Sequence, residues 1–170
     1  MSLLLRLIDA ISRFFFGLAM LTGLLMMLHV TADVIARTVF NMPLTGTGEI
    51  SAGYYMIVMA FLPLACVTLN DQHLSADLFT ARLSPRVAGA LQLVIDLVSA
   101  GYAYLLMTHT VTSALRRTRS GEVWEVAGGY LPIWPIRWVI PVAMGAMLAV
   151  LVLRVLQRLL GRPVARLEEA

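Results

Sequence analysis

Residues 14–36 read FFFGLAMLTGLLMMLHVTADVIA, and no charge interrupts them before Asp33. A helix rising about 1.5 Å per residue needs roughly 20 apolar residues to cross a hydrocarbon layer about 30 Å thick, so this stretch reads as a membrane span. Its apolar run is too long for a secretion signal, although Arg6 and Arg13 precede it and Val34-Ile35-Ala36 places small residues where a peptidase acts. Working outward from it, three further stretches reach spanning length: 50–69, 87–107 and 134–153. The chain is accordingly expected to be all-α, an integral membrane protein of four transmembrane helices in one domain, with an Arg-rich tail over 154–170.

Composition agrees. Of 170 residues 59% are hydrophobic and 14% charged, and the mean hydropathy is +0.83, outside the balance of a soluble domain. All 13 basic residues are arginines, placed mainly at the ends of apolar stretches where a guanidinium reaches the headgroups. The net charge of +3 therefore points to a membrane and not to nucleic acid. A single cysteine, Cys66, excludes an intramolecular disulfide and a cysteine metal cluster. Ser84-Pro85 reads as the cap and first turn of the third span, and Thr47 as a cap for the second.

Arginine asymmetry orients the chain. The N-terminus, the 70–86 loop and the tail hold Arg6, Arg13, Arg82, Arg86, Arg154, Arg158, Arg162 and Arg166; the opposite side holds Arg37, Arg116, Arg117, Arg119 and Arg137. The excess places both termini in the cytoplasm. No internal repeat of 20 to 50 residues is visible, which argues against a transporter built from inverted halves of this chain alone.

Charged residues in or beside spans are expensive, and each needs a reason. Asp33 and Arg37, four apart at the end of the first helix, suit a local pair facing the helix dipole. Glu49 stands in the first turn of the second helix, and a short hairpin sets it at a depth similar to Arg37, so an ion pair between the two is expected. Asp96, roughly 14 Å into the third span, reads as near mid-membrane. Three readings stand for it: a partner hydroxyl from Ser51, Thr68 or Ser99, a place in an ion or proton relay, or a contact with another subunit.

The segment 70–79 alternates so that Leu74, Leu78, Phe79 and Leu83 share a face, which predicts a short helix lying in the interface between the second and third spans. The connection 108–133 carries Arg116, Arg117, Arg119, Glu122, Trp124 and Glu125. It reads either as a solvated extension of the third helix ending at Gly121, or as a docking surface for a partner outside the cytoplasm. His29, His73 and His109 raise the rival of a haem-bearing membrane anchor of a respiratory or redox complex. Their depths do not match, which disfavours ligation by two histidines.

Three motifs then fit together: Arg37-Thr38-Val39-Phe40-Asn41-Met42-Pro43-Leu44, Gly46-Thr47-Gly48-Glu49-Ile50-Ser51, and His73-Leu74-Ser75-Ala76-Asp77. With the proline-bearing entry Leu131-Pro132-Ile133-Trp134, the chain resembles over nearly its whole length the DctQ-type small membrane subunit of tripartite ATP-independent periplasmic (TRAP) transporters. Gly128-Gly129-Tyr130, and Ser75-Ala76 before Asp77, depart from the usual pattern.

That resemblance implies a multi-pass protein of a bacterial inner membrane, working in secondary import of organic acids. It implies two protein partners, a periplasmic substrate-binding protein and a large elevator subunit that holds the substrate and the Na+ sites, with membrane lipids around them. The small subunit would brace the large one and be no enzyme, with no cofactor of its own. By match of motif, Arg37, Asn41, Glu49 and Asp77 become candidates for subunit or headgroup contacts, with Asp96 a further interface candidate. Arg116, Arg117 and Arg119 become candidates for docking the binding protein, by position and charge.

Overall fold

The computed structural model describes residues 2–69, 84–126 and 129–160. Four helices among them are long and apolar enough to cross a membrane. Helix α1 is Ser2–Val39. Helix α2 occupies Thr47–Leu69 and changes winding along its length: a π-helical stretch, Ser51–Tyr55, follows its first turn, and the ladder is interrupted at Leu62-Pro63. Proline has no N–H and crowds the carbonyl one turn before it, which accounts for the interruption. Helix α3, Pro85–Ser120, is followed by a two-stranded antiparallel hairpin of β1 (Val123–Val126) and β2 (Gly129–Pro132). A 3₁₀ turn, Ile136–Trp138, leads into α4, Val139–Leu159.

The caps were partly expected. Ser84 is extended (φ −63, ψ 149) ahead of Pro85, as a residue before proline should be, although its side chain makes no capping bond. Gly121 takes the left-handed conformation (φ 60) that ends α3, and its N–H meets the Arg117 and Thr118 carbonyls. Thr47 is not the cap of α2: that place belongs to Gly46 at φ 80, and the Thr47 hydroxyl donates back to the Leu44 carbonyl at 3.3 Å. Pro141 stands in the first turn of α4, where its missing N–H costs nothing.

Helix α4 is the most enclosed of the four. Of its most apolar 18 residues 39% are buried, against 11% for α1 and for α3. It packs along α3 and also against α1 and the second half of α2. One apolar cluster joins Ala19, Leu62 and Ala143 with Phe15, Val58 and Val139; a second joins Ala65, Leu69 and Val150 with Ile8 and Ala146. Small residues at these contacts let helices approach closely, the usual basis of packing where lipid is the solvent.

Two levels follow from the cross-helix bonds. At one end the Trp138 Nε1–H donates to Thr118 Oγ1 at 3.1 Å; at the other Arg158 Nε donates to Asp96 Oδ2 at 2.7 Å. Along α4 these levels are about 30 Å apart, the thickness of the hydrocarbon layer. They are called below the hairpin end and the terminal end.

The interfacial helix expected between α2 and α3, with His73 and Asp77, lies outside the described residues. Helix α4 runs to Leu159, so Arg154 and Arg158, the first arginines of the expected tail, are helical residues.

Candidate functional site: the two polar ends of the bundle

At the hairpin end the first motif is a device for stopping one helix and fixing the next. Asn41 adopts a left-handed backbone (φ 52), which asparagine tolerates better than other side-chain-bearing residues, and the Met42 N–H turns back to the Ala36 carbonyl at 3.1 Å. Asp33 is 5% exposed and uses both carboxylate oxygens. Its Oδ2 accepts from Arg37 Nη2 at 2.8 Å, and its Oδ1 accepts the Leu44 backbone N–H, also at 2.8 Å. The local pair expected of Asp33 and Arg37 is therefore present, and the same carboxylate pins the loop to α2.

The ion pair expected between Arg37 and Glu49 is not formed. Arg37 is satisfied four residues back on its own helix, and Glu49, half-buried in the first turn of α2, pairs with no arginine among the described residues. A carboxylate one turn away on the same helix needs no loop to be ordered before it can pair, so it wins.

The hairpin is seated on the π-helical part of α2. A Cβ added to Gly53 would stand 3.0 Å from Ile133 Cδ1 and 3.1 Å from Trp124 Cζ3, so the absent side chain is what lets these two groups lie on the helix. The Tyr54 hydroxyl donates to the Pro132 carbonyl. At the hairpin base the Ile133 N–H donates to the Glu122 carbonyl at 2.9 Å. The Glu122 carboxylate accepts two bonds from Arg137, at 3.0 and 3.1 Å, and lies 3.4 Å from Arg117 Nη1. Bidentate guanidinium–carboxylate bonds are the strong kind, and this one ties the end of α3 to the entry of α4.

At the terminal end Asp96 is 2% exposed, and Arg158 holds it. None of Ser51, Thr68 or Ser99 supplies its partner. Arg154, also 2% exposed, donates from Nη1 to the Thr68 carbonyl at 2.8 Å, so α4 carries one arginine to α3 and another to α2. Through its bond to Arg158, Asp96 is level with the last turn of α4.

Of the three loop arginines, Arg117 is engaged by Glu122, whereas Arg116 and Arg119 are exposed and bound to no carboxylate among the described residues. They belong to the last turns of α3, so the reading as a helix extension ending at Gly121 describes this segment up to that residue, with a β-hairpin after it. His29 is turned onto Tyr55, with Nδ1 and Oη 3.2 Å apart and the rings edge to face at 5.8 Å. His109 is exposed on α3, a helix that packs on α4.

Sequence reasoning missed Glu122 as the hub of the hairpin end and Arg158 as the partner of Asp96. The signal for Arg158 was its four-residue spacing from Arg154, which puts both on one face of α4. For Glu122, its place directly after a helix-ending glycine was available.

Compared with known families, residues 26–161 match the model described as tripartite ATP-independent periplasmic transporters, DctQ component. The match runs from the middle of α1 to just beyond α4. No curated protein and no solved structure matches.

Proposed function

The chain belongs to the DctQ family of TRAP transporter membrane components, and from that premise we propose that it is the small scaffold subunit of a secondary importer of organic acids. In this reading it braces the large elevator subunit, which binds the substrate and Na+, and helps to dock a periplasmic substrate-binding protein. Both termini lie in the cytoplasm, and the hairpin end faces the periplasm.

One observation carries the proposal. The charged groups that enter the bundle are paired off at two levels about 30 Å apart, and the clusters between those levels are built from Ala, Leu, Val and Phe. A substrate or ion path needs polar groups converging near the midplane, usually at broken helices. A brace needs the reverse, helices held rigidly at both ends with a closed apolar interior. Bidentate Glu122–Arg137 and buried Asp96–Arg158 fix α3 to α4 at each end and resist their sliding.

Within this reading the sites sort by what is left accessible. Arg116 and Arg119 stand exposed beside the hairpin and serve as the docking residues, with Arg117 positioned by Glu122. Arg37 keeps most of its side chain exposed at 63% and offers N–H donors to the large subunit or a lipid phosphate. Asn41 acts through the backbone turn that presents Arg37. Glu49 and Asp77 remain subunit or headgroup candidates, and Asp96 is assigned to the internal clamp.

The test is purification of the tagged chain from native membranes in mild detergent, with mass spectrometry of what stays bound. A stoichiometric, much larger polytopic protein is the expected result. A soluble redox enzyme in its place, or stoichiometric haem absorbance, would overturn the reading in favour of a redox anchor.

A further inference from the structure

The hairpin fixes the level of what it touches. β1 and β2 make a sheet of only two strands, so each has an outer edge with no strand beside it, and Val123, Glu125 and Tyr130 on it are exposed. An open sheet edge in hydrocarbon would strand backbone N–H and C=O groups without partners, so the hairpin stands outside that layer. It lies against the start of α2: a Cβ added to Gly46 would stand 3.9 Å from Val126, and Trp124 rests on Gly53. The loop before α2 is held at the same level, since the Leu44 N–H donates to Asp33 at 2.8 Å. Helix α1 runs on past Asp33 to Val39 before it turns, which carries the turn further from the hydrocarbon.

That turn is apolar and fixed. Val39, Phe40 and Met42 are 67, 66 and 72% exposed. The Ala36 carbonyl accepts both the Phe40 and the Met42 N–H at 3.1 Å, and the left-handed Asn41 stands between them. Acyl chains would accept such side chains, but outside the layer their exposure costs free energy. They do not suit the headgroup belt either, where Trp and Tyr are favoured because each carries a polar tip. Large apolar side chains held outward on an ordered frame are what a partner protein covers, and here the ordering precedes its arrival.

We infer that the 39–42 turn is an anchor that enters an apolar pocket on the extramembrane surface of the large subunit, with a carboxylate at the pocket rim for Arg37. The inference rests on the reading of this chain as a transporter subunit and adds to it a contact outside the bilayer. Two protein partners reach this end in that reading, and the chemistry of the turn separates them. A binding protein must leave after each delivery, whereas interfaces of permanent complexes are the more hydrophobic ones. Exposed Arg116 and Arg119 have the first character, and Phe40 with Met42 the second. Arg37, one turn before Phe40, keeps 63% of its side chain exposed and supplies the charge of a polar rim.

The experiment uses the chain co-expressed with the large subunit and the binding protein, carrying a photoreactive benzophenone amino acid in place of Phe40 or Met42. Irradiation of membranes is expected to give a covalent product of the two membrane subunits from both positions. Phe40→Ser combined with Met42→Ser should lower the large subunit retained through a detergent wash by roughly tenfold, with Phe40→Leu and Met42→Leu together restoring much of it. The serine variant alone should melt with the unmodified chain, because both side chains are exposed, and the cross-link reads the contact without depending on that variant. Products with the binding protein alone, with lipid, with a second copy of this chain, or with nothing would overturn the inference while the large subunit still copurifies. Failure of the unmodified chain to retain any large subunit would instead defeat the subunit reading itself.

Discussion

At the scale of single residues, the charged groups of this protein behave as fasteners. Asp33 shows the pattern: one oxygen takes a side chain from its own helix and the other takes the backbone of the following loop, so one carboxylate satisfies two donors. Asp96 and Arg158 make the stronger case, because the aspartate side chain is only 3% exposed and the arginine 22%. Removing one member of a buried pair leaves the other charge uncompensated, whereas removing both leaves apolar contact. Asp96→Leu and Arg158→Leu are each expected to destabilise the protein by about 3–5 kcal/mol, and the double variant by clearly less than their sum. Thermal unfolding of the four proteins in detergent reads the coupling. Additive losses would mean that the two side chains stabilise the bundle independently.

At the scale of elements, the hairpin is the part with least support of its own. Two strands of four residues are marginal in isolation, so β1 and β2 owe their order to the Gly53 surface of α2 and to the Glu122 hub. Glu122→Ala removes the acceptor shared by Arg137 and Arg117. Hydrogen bonds to charged groups contribute about 1.5–3 kcal/mol, so exchange of the strand amides should quicken by roughly tenfold or more, with the amides of α4 beyond its first turn unchanged. Equal exchange in both proteins would show that the Gly53 contact alone holds the hairpin. The four long helices were legible in the sequence because lipid demands a continuous apolar run, and such runs are hard to hide. Strands of four residues leave no such run, and Val123–Val126 followed directly on a helix end that was correctly placed at Gly121. The partner of Asp96 was not legible because Arg158 is 62 residues away on another helix, and no single stretch of sequence encodes how two helices are set against each other. The Arg37–Glu49 pair failed for a related reason: similar depth does not make two side chains face each other. The π-helical winding of Ser51–Tyr55 had no sequence signal, since it answers to the groups packed on Gly53 from residues far along the chain.

For the molecule as a whole, orientation decides what each polar end can do. The terminal end and its loops hold eight arginines in sequence, and the hairpin end five. Three of those five are held by carboxylates, Arg37 on Asp33 and Arg117 and Arg137 on Glu122, leaving Arg116 and Arg119 as exposed positive charge. The excess of arginine at the terminal end is what argues the orientation, since the positive-inside rule counts basic residues and not net charge. The expectation is that the hairpin faces the periplasm. A chain made cysteine-free by Cys66→Ala offers a direct measurement, because Ser120 closes α3 at the hairpin end while Ser84 caps it at the terminal end, and both are exposed. In intact spheroplasts an impermeant maleimide should label Ser120→Cys and reach Ser84→Cys only after lysis. The opposite pattern would put Arg116 and Arg119 in the cytoplasm, where no periplasmic binding protein can meet them, and the docking role would have to be given up even if the brace were kept. Only the predicted pattern lets the chain present a hairpin-capped basic edge to the periplasm.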